Sequence, residues 1–333
     1  MRICIWYHTT QAAWGGSNSF LRSLAAQLER LGHEISRIPR RTDEIVLVNS
    51  WSQGGGRYLN PKAVASVQQG GSSGQLPSIL GKLYGGGKPL VQRADGVARL
   101  YGRDDPRADQ TQFEIARLAD CVIFQSQYSQ ASFAQAGVRP RQVQVIYNAV
   151  DGSVFYPSPE IQAVHSRQDL RLLAVSWSAN PMKGFADLAR LADLPGVKLR
   201  FVGNWCPEEA PGKVQLLGRK TRSEIAALLR QSDVFVHAAQ NDPCSNAILE
   251  ALASGLPILY HDSGGNPELA QGYGLALTGD PGSVVAAMRL NYTQFRQKVL
   301  DNRAAFLIEG CAEKYLGVFC QVIEEHGTLG RAR

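Results

Sequence analysis

The chain has 333 residues, 44% hydrophobic and 19% charged, which is enough for about two domains with their own cores and excludes a largely disordered protein. Its formal net charge of +6 suits nucleic acid, an anionic membrane or a polyanionic small ligand. Nucleic acid is the weakest of these, because the small clusters Arg37-Arg40-Arg41 and Arg219-Lys220-Arg222 form no basic stripe interleaved with aromatics.

In chain order, Ile3–Tyr7 predicts a strand, not the apolar region of a signal peptide. No apolar run approaches the ~20 residues of a membrane span. The expectation is a cytoplasmic protein without a membrane span, with peripheral membrane contact left open. Phe20, Leu21, Leu24, Leu28 and Leu31 fall on one helical face, with Ser17 or Asn18 as cap and Gly32 at the C-terminal stop. Strands follow at Ile45–Val48, Pro89–Val91, Cys121–Phe124 and Val143–Ile146, separated by helical patterns such as Phe113–Leu118 and Ser129–Ala136. Gln53 to Lys88 is rich in glycine and serine, as expected of long loops on a ligand side or of tolerant surface loops. After a polar stretch from Ser158 to Asp169, alternation restarts with strands at Leu172–Val175, Lys198–Val202, Val214–Leu217, Val234–His237 and Pro257–Tyr260. Helices are expected from Gly184, Thr221 and Asn246, and a last one over Ala312–Ile323. This order predicts two α/β domains with parallel sheets covered on both faces.

Several chemistries are excluded by their motifs. Ala13-Trp14-Gly15-Gly16-Ser17-Asn18 is not the GxGxxG fingerprint of a hydride-transfer enzyme. Gly85-Gly86-Gly87-Lys88 is followed by Pro89, so it is no P-loop. Tyr58 and Lys62 fit the spacing of an epimerase pair, but Pro61 would damage the helix that pair needs. The cysteines Cys4, Cys121, Cys206, Cys244, Cys311 and Cys320 form no CxxC and no metal-ligand cluster, and read as reduced core residues, Cys244 excepted.

The richest segment runs from Val234 to Pro257. An apolar strand ends, a polar loop carries Asp242, and a helix begins with Ser245 or Asn246 as its cap. Free N–H groups and the dipole make such a helix start an anion site, suited to a diphosphate. Asp242 can reach sugar hydroxyls, and Glu250 can accept two hydrogen bonds from a ribose diol. The alternative is structural: Asp242 caps the loop and Glu250 complements the dipole.

This segment resembles the E-x7-E region of retaining glycosyltransferases of family four, the glycosyl transferases group 1, with Asp242 at the first acidic position and Glu250 at the second. Further parts resemble the family in the same order. Gly15-Gly16 is similar to its glycine loop facing the donor phosphates. Asn148-Ala149-Val150-Asp151 with Phe155-Tyr156-Pro157 is similar to its N-G-V-D…F-x-P signature. Asn180-Pro181-Met182-Lys183-Gly184 resembles the loop whose lysine binds the donor pyrophosphate, and Ser263-Gly264-Gly265 the loop beside the donor sugar. Two positions depart from the family: Ser178 stands where an arginine is usual, and Asp242 is shorter than the usual Glu by one methylene.

The resemblance implies an α/β protein of the GT-B fold, two Rossmann-like domains facing each other across a donor/acceptor cleft. The expected boundaries are 1–157 for the acceptor side, 170–310 for the nucleotide-sugar side and 311–330 for a helix returning to the first domain. It implies transfer of a sugar from a nucleoside-diphosphate sugar to an acceptor hydroxyl, with retention and without a metal or other cofactor. The acceptor would be a glycan, a lipid-linked molecule or a natural product. Catalytic positions are then Asp95, Lys183 and Asp242. Donor contacts are Gly15, Gly16, Ser178, Lys183, Gly218, Arg219, Asp242, Ser245, Asn246, Glu250, Gly264 and Gly265. Asp95 stands near the position of a family histidine, or is a turn residue before Gly96. The alternative for Lys183 is a surface lysine. An NDP-sugar epimerase and an inactive nucleotide-sugar-binding relative remain the rival functions.

Overall fold

A computed structural model describes residues 1–10, 16–69, 87–158 and 168–331. Among these, one sheet contains β1 (Arg2–Trp6), β2 (Glu34–Ser36), β3 (Ile45–Asn49), β4 (Leu90–Ala94), β5 (Cys121–Phe124) and β6 (Val143–Val145). Their order is β2-β1-β3-β4-β5-β6, and every pairing is parallel. The second sheet contains β7 (Leu170–Ser176), β8 (Val197–Gly203), β9 (Gln215–Leu216), β10 (Val234–His237), β11 (Ile258–Tyr260) and β12 (Gly274–Ala276). Its order is β12-β11-β10-β7-β8-β9, again wholly parallel.

Strands β3, β4, β5 and β10 are buried along their whole length, which accounts for the apolar runs of β3, β5 and β10, while β4 buries Gln92 and Arg93 among its apolar residues. The edge strands β2 and β12 escape the apolar pattern. Glu34-Ile35-Ser36 is mostly polar, and Gly274 would read as a turn. In β12 that glycine lets two backbones meet, since a Cβ would stand 1.8 Å from the Ile258 carbonyl oxygen.

Residue contacts gather the chain into two units. The first combines the described start of the chain and Ser17–Tyr147 with Glu309–Arg333; the second is Gly16 with Asn148–Ile308. In the first, Phe124 and Phe133 pack edge to face at 5.0 Å, and Phe113 meets Phe133 at the same distance. Tyr315 and Phe319 of the helix Ile308–Arg331 are fully buried, with the Tyr315 ring 5.9 Å from Phe20. In the second, Phe185, Phe201 and Trp205 form a triangle of edge-to-face rings at 4.9 to 5.8 Å. A ring buried in such a cluster stabilises the fold by about 1.5–3 kcal/mol relative to exposure.

Three local expectations need correction. The first helix spans Gly16–Arg30, so Ser17 and Asn18 lie inside it rather than at its cap. Asn18 instead closes onto Thr10, its Oδ1 accepting from the Thr10 N–H at 2.8 Å. Pro61 does not break a helix; it opens Pro61–Gln69, where its missing N–H costs nothing. Cys320 is exposed, unlike the other five cysteines, and all six are free thiols. Among the described residues, no helix is long and apolar enough to cross a membrane.

Candidate functional site

Strand β7 starts the second sheet near its middle. The chain winds outward through β8 and β9, then crosses back to β10 on the other side of β7. The loops after β7 and β10 therefore diverge, and a crevice opens at the C-terminal ends of the strands. Ligands of open α/β sheets gather at such a reversal. Lys183 lies beyond β7 and Asp242 beyond β10, which brings two residues 59 positions apart to this crevice.

Lys183 Nζ donates to Asp242 Oδ2 at 3.1 Å, and both side chains are mostly buried. His237, the last residue of β10 and 5% exposed, sets its Nε2 3.5 Å from the same oxygen. Burial alone would raise the Asp242 carboxyl; Lys183, then His237, outweigh it and hold the group well below the usual carboxylate range. The result is a firmly ionised acceptor beside one ammonium. That pair can bind a sugar hydroxyl and a phosphate oxygen.

The loop carrying Asp242 is fixed by its neighbours. Gln240 N–H donates to the Met182 carbonyl at 2.7 Å, and Gly265 N–H to the Asp242 carbonyl at 2.8 Å. Asn266, fully buried, donates to the carbonyls of Ala239 and His261 at 2.7 and 3.1 Å. Asn241 takes φ 52°, and its N–H donates to Ser263 Oγ at 2.9 Å. Gly264 has φ +64°, and a Cβ there would stand 2.7 Å from the Asp242 carbonyl oxygen. Gly264 and Gly265 thus shape the acidic loop through their backbones.

The helix Asn246–Ala253 starts at Ser245, whose side chain accepts from Ile248 N–H at 3.4 Å. Asn246 Oδ1 accepts from Asn148 Nδ2 at 2.8 Å, which ties the Asn148–Asp151 motif to this helix start. Glu250 sits one turn further along. Burial pushes its carboxyl up to about 7, against the pull of Arg222. Ser178 Oγ accepts from Asn180 N–H at 3.2 Å in the loop after β7. Gly218 takes φ +66°. The exposed Arg219 donates from Nε to Asn204 Oδ1 at 3.0 Å, and Asn204 donates to the Trp177 carbonyl at 2.6 Å.

Asp95 belongs to the first unit, just beyond β4. Its Oδ1 receives Arg93 Nη1 at 3.3 Å and Gln125 Nε2. Arg93 is fully buried and also donates to Asn49 Oδ1 at 2.6 Å. Asp95 is therefore held by side chains from two strand ends, which is more than an Asp–Gly turn requires. Gly16 opens the first helix, and Gly15 lies outside the described residues, as do Gly70-Gly71 and Gly85-Gly86. His237 and Asn148 were not singled out as site residues from the sequence. The only signal for His237 is a polar residue closing an otherwise apolar strand.

Residues 171–293 match the family model described as Glycosyl transferases group 1. A GDP-mannose-dependent alpha-mannosyltransferase of Mycobacterium tuberculosis (strain CDC 1551 / Oshkosh) is 29% identical over 222 residues, covering 58% of this chain and 55% of the relative. The chain thus spans about half the length of this curated relative. Among solved structures, sucrose-phosphate synthase from Thermosynechococcus elongatus superposes with a TM-score of 0.72 at 16% identity, over 98% of this chain and 100% of that one. Anabaena HepE in complex with UDP and glucose superposes at 0.66 and 18% identity, over 96% and 100%. Residues 171–293 are thus similar to the Glycosyl transferases group 1 family, and the two parallel sheets carry the GT-B fold.

Proposed function

We propose that this chain is a glycosyltransferase that moves a sugar from a nucleoside-diphosphate donor to an acceptor hydroxyl, with retention and without a metal ion. The observation that carries the reading is the Lys183–Asp242 pair at the sheet's reversal point, beside the capped start of Asn246–Ala253. Lys183 and the first amides of that helix meet the β-phosphate, Asp242 takes a sugar hydroxyl, and ionised Glu250 takes the ribose diol. The bond between the anomeric carbon and the diphosphate oxygen breaks, and negative charge grows on the leaving group. Lys183 and the helix start stabilise that charge, so preorganised electrostatics supplies much of the rate. The acceptor oxygen bonds to the anomeric carbon on the face the diphosphate leaves, and its proton passes to the departing phosphate oxygen. Asp95 is the acceptor-side residue of the first unit. Ser178 leaves one family cation missing, and Arg219 is the side chain proposed to make up the charge.

The relative's printed name specifies GDP-mannose, and the HepE complex contains UDP and glucose. The test therefore begins with GDP-mannose and UDP-glucose in a mass-spectrometric screen of nucleotide sugars against the purified chain. Release of nucleoside diphosphate with a new or hydrolysed sugar supports transfer. An isomerised nucleotide sugar would favour epimerisation, and binding without turnover an inactive relative.

A further inference from the structure

Lys183 cannot serve a diphosphate and keep its full attention on Asp242. Once the ammonium turns toward phosphate, Asp242 retains a mostly buried carboxylate with less opposing charge. A buried carboxylate left in that state is costly, so another donor has to stand ready. His237 is in that place. Its Nε2 is buried and makes no hydrogen bond of normal geometry among the described residues, yet it lies 3.5 Å from Asp242 Oδ2. On the other side of the ring, Nδ1 lies 3.5 Å from Ser245 Oγ, the cap of the helix Asn246–Ala253. The ring stacks near-parallel over Phe235 of the same strand, which fixes its plane. A hydroxyl donating to Nδ1 selects the tautomer with hydrogen on Nε2, aimed at the carboxylate.

We propose that His237 is a positioning residue that takes over Asp242 when Lys183 engages the donor diphosphate, holding the carboxylate in reach of the donor sugar. A small movement of Oδ2 closes the 3.5 Å gap to a charge-assisted hydrogen bond. The same ring links Asp242 to the helix cap, so the sugar contact and the phosphate-binding helix start keep one geometry. The inference rests on the donor-site reading above and adds a residue to it. It also separates two effects, because a nucleoside diphosphate lacks the sugar that Asp242 would hold.

The experiment is calorimetric titration of GDP, GDP-mannose, UDP and UDP-glucose into the wild type, His237→Phe, His237→Gln and Lys183→Ala. His237→Phe keeps a ring but neither nitrogen; His237→Gln keeps a donor near Nε2. The expected result is a loss of about tenfold in nucleotide-sugar affinity for His237→Phe, with the matching diphosphate within about twofold. His237→Gln should recover most of that loss. Equal weakening of sugar and diphosphate, or no weakening of either, overturns the positioning role. If Lys183→Ala weakens diphosphate binding in that case, the donor site stands and only His237 is excluded. A wild type that binds none of the four overturns both readings. Nitrogen-15 spectra of histidine-labelled wild type provide a check that needs no folded variant. The Nε2-protonated tautomer is expected for His237, and an Nδ1-protonated ring would contradict the proposal.

Discussion

Glu250 is under opposed demands. A carboxylate that accepts a ribose diol works best ionised, yet burial raises this one to about 7 from an ordinary 4.5. Between those values the folded chain keeps a proton that the unfolded chain has lost, so stability falls as pH rises through the window. Glu250→Gln removes that slope. The variant should be more stable than the wild type at pH 8, by on the order of a few kcal/mol, and equal to it at pH 4. Urea midpoints at the two pH values measure this, and parallel profiles would show that Glu250 titrates normally. GDP and UDP affinity should likewise rise from pH 6 to 8 in the wild type and stay level in Glu250→Gln. Lys183, Asp242 and Glu250 were legible because each sits in a short local pattern: a loop lysine before glycine, a carboxylate before a capped helix, an acid one turn in. His237 was not, because its approach to Asp242 and Ser245 depends on how the loop after β10 folds back, and the partners of Asp95 were not, because Gln125 comes from a different strand end.

At the level of elements, two helix caps provide a controlled comparison. Thr221 and Glu224 form a reciprocal capping box at the helix Arg222–Arg230, whereas Ser245 caps the helix beside Asp242. Thr221→Ala and Ser245→Ala should each lower stability by about 1 kcal/mol. Only Ser245→Ala should also weaken nucleotide binding, as thermal shift with and without GDP or UDP would show; equal ligand shifts would detach the second helix start from the site. Gly264→Ala tests the loop buttress. Its positive φ and the 2.7 Å approach to the Asp242 carbonyl predict a loss of about 1–3 kcal/mol with weakened donor binding. Unchanged stability and binding would mean that the acidic loop tolerates a side chain there. The strands themselves were readable where both faces are buried, as in Cys121–Phe124 and Val234–His237, whose bounds match the apolar runs. They were unreadable at the edges β2 and β12, where three-residue strands depend on backbone pairing with a neighbour more than on their own side chains.

For the whole molecule, both sheets are parallel and doubly wound, and the reversal in the second sheet gathers the loops that carry Lys183 and Asp242 without any one strand specifying it. That arrangement follows from connection handedness and strand order, which local sequence patterns do not carry. The proposed electrostatics needs only Lys183, neighbouring charge and the helix start, so EDTA should leave turnover within about twofold. A large loss restored by a divalent cation would overturn metal independence. Retention predicts that the newly formed linkage keeps the donor's anomeric configuration, which proton NMR of the product reads directly. The central claim is that Lys183 at the β7–β10 reversal stabilises the departing diphosphate. Its most direct test is nucleoside-diphosphate release from GDP-mannose and UDP-glucose by the wild type, Lys183→Ala and Lys198→Ala, the last altering a lysine whose side chain is 70% exposed. The account predicts a fall of about 100-fold or more for Lys183→Ala and none for Lys198→Ala; equal turnover by a folded Lys183→Ala and the wild type would contradict it.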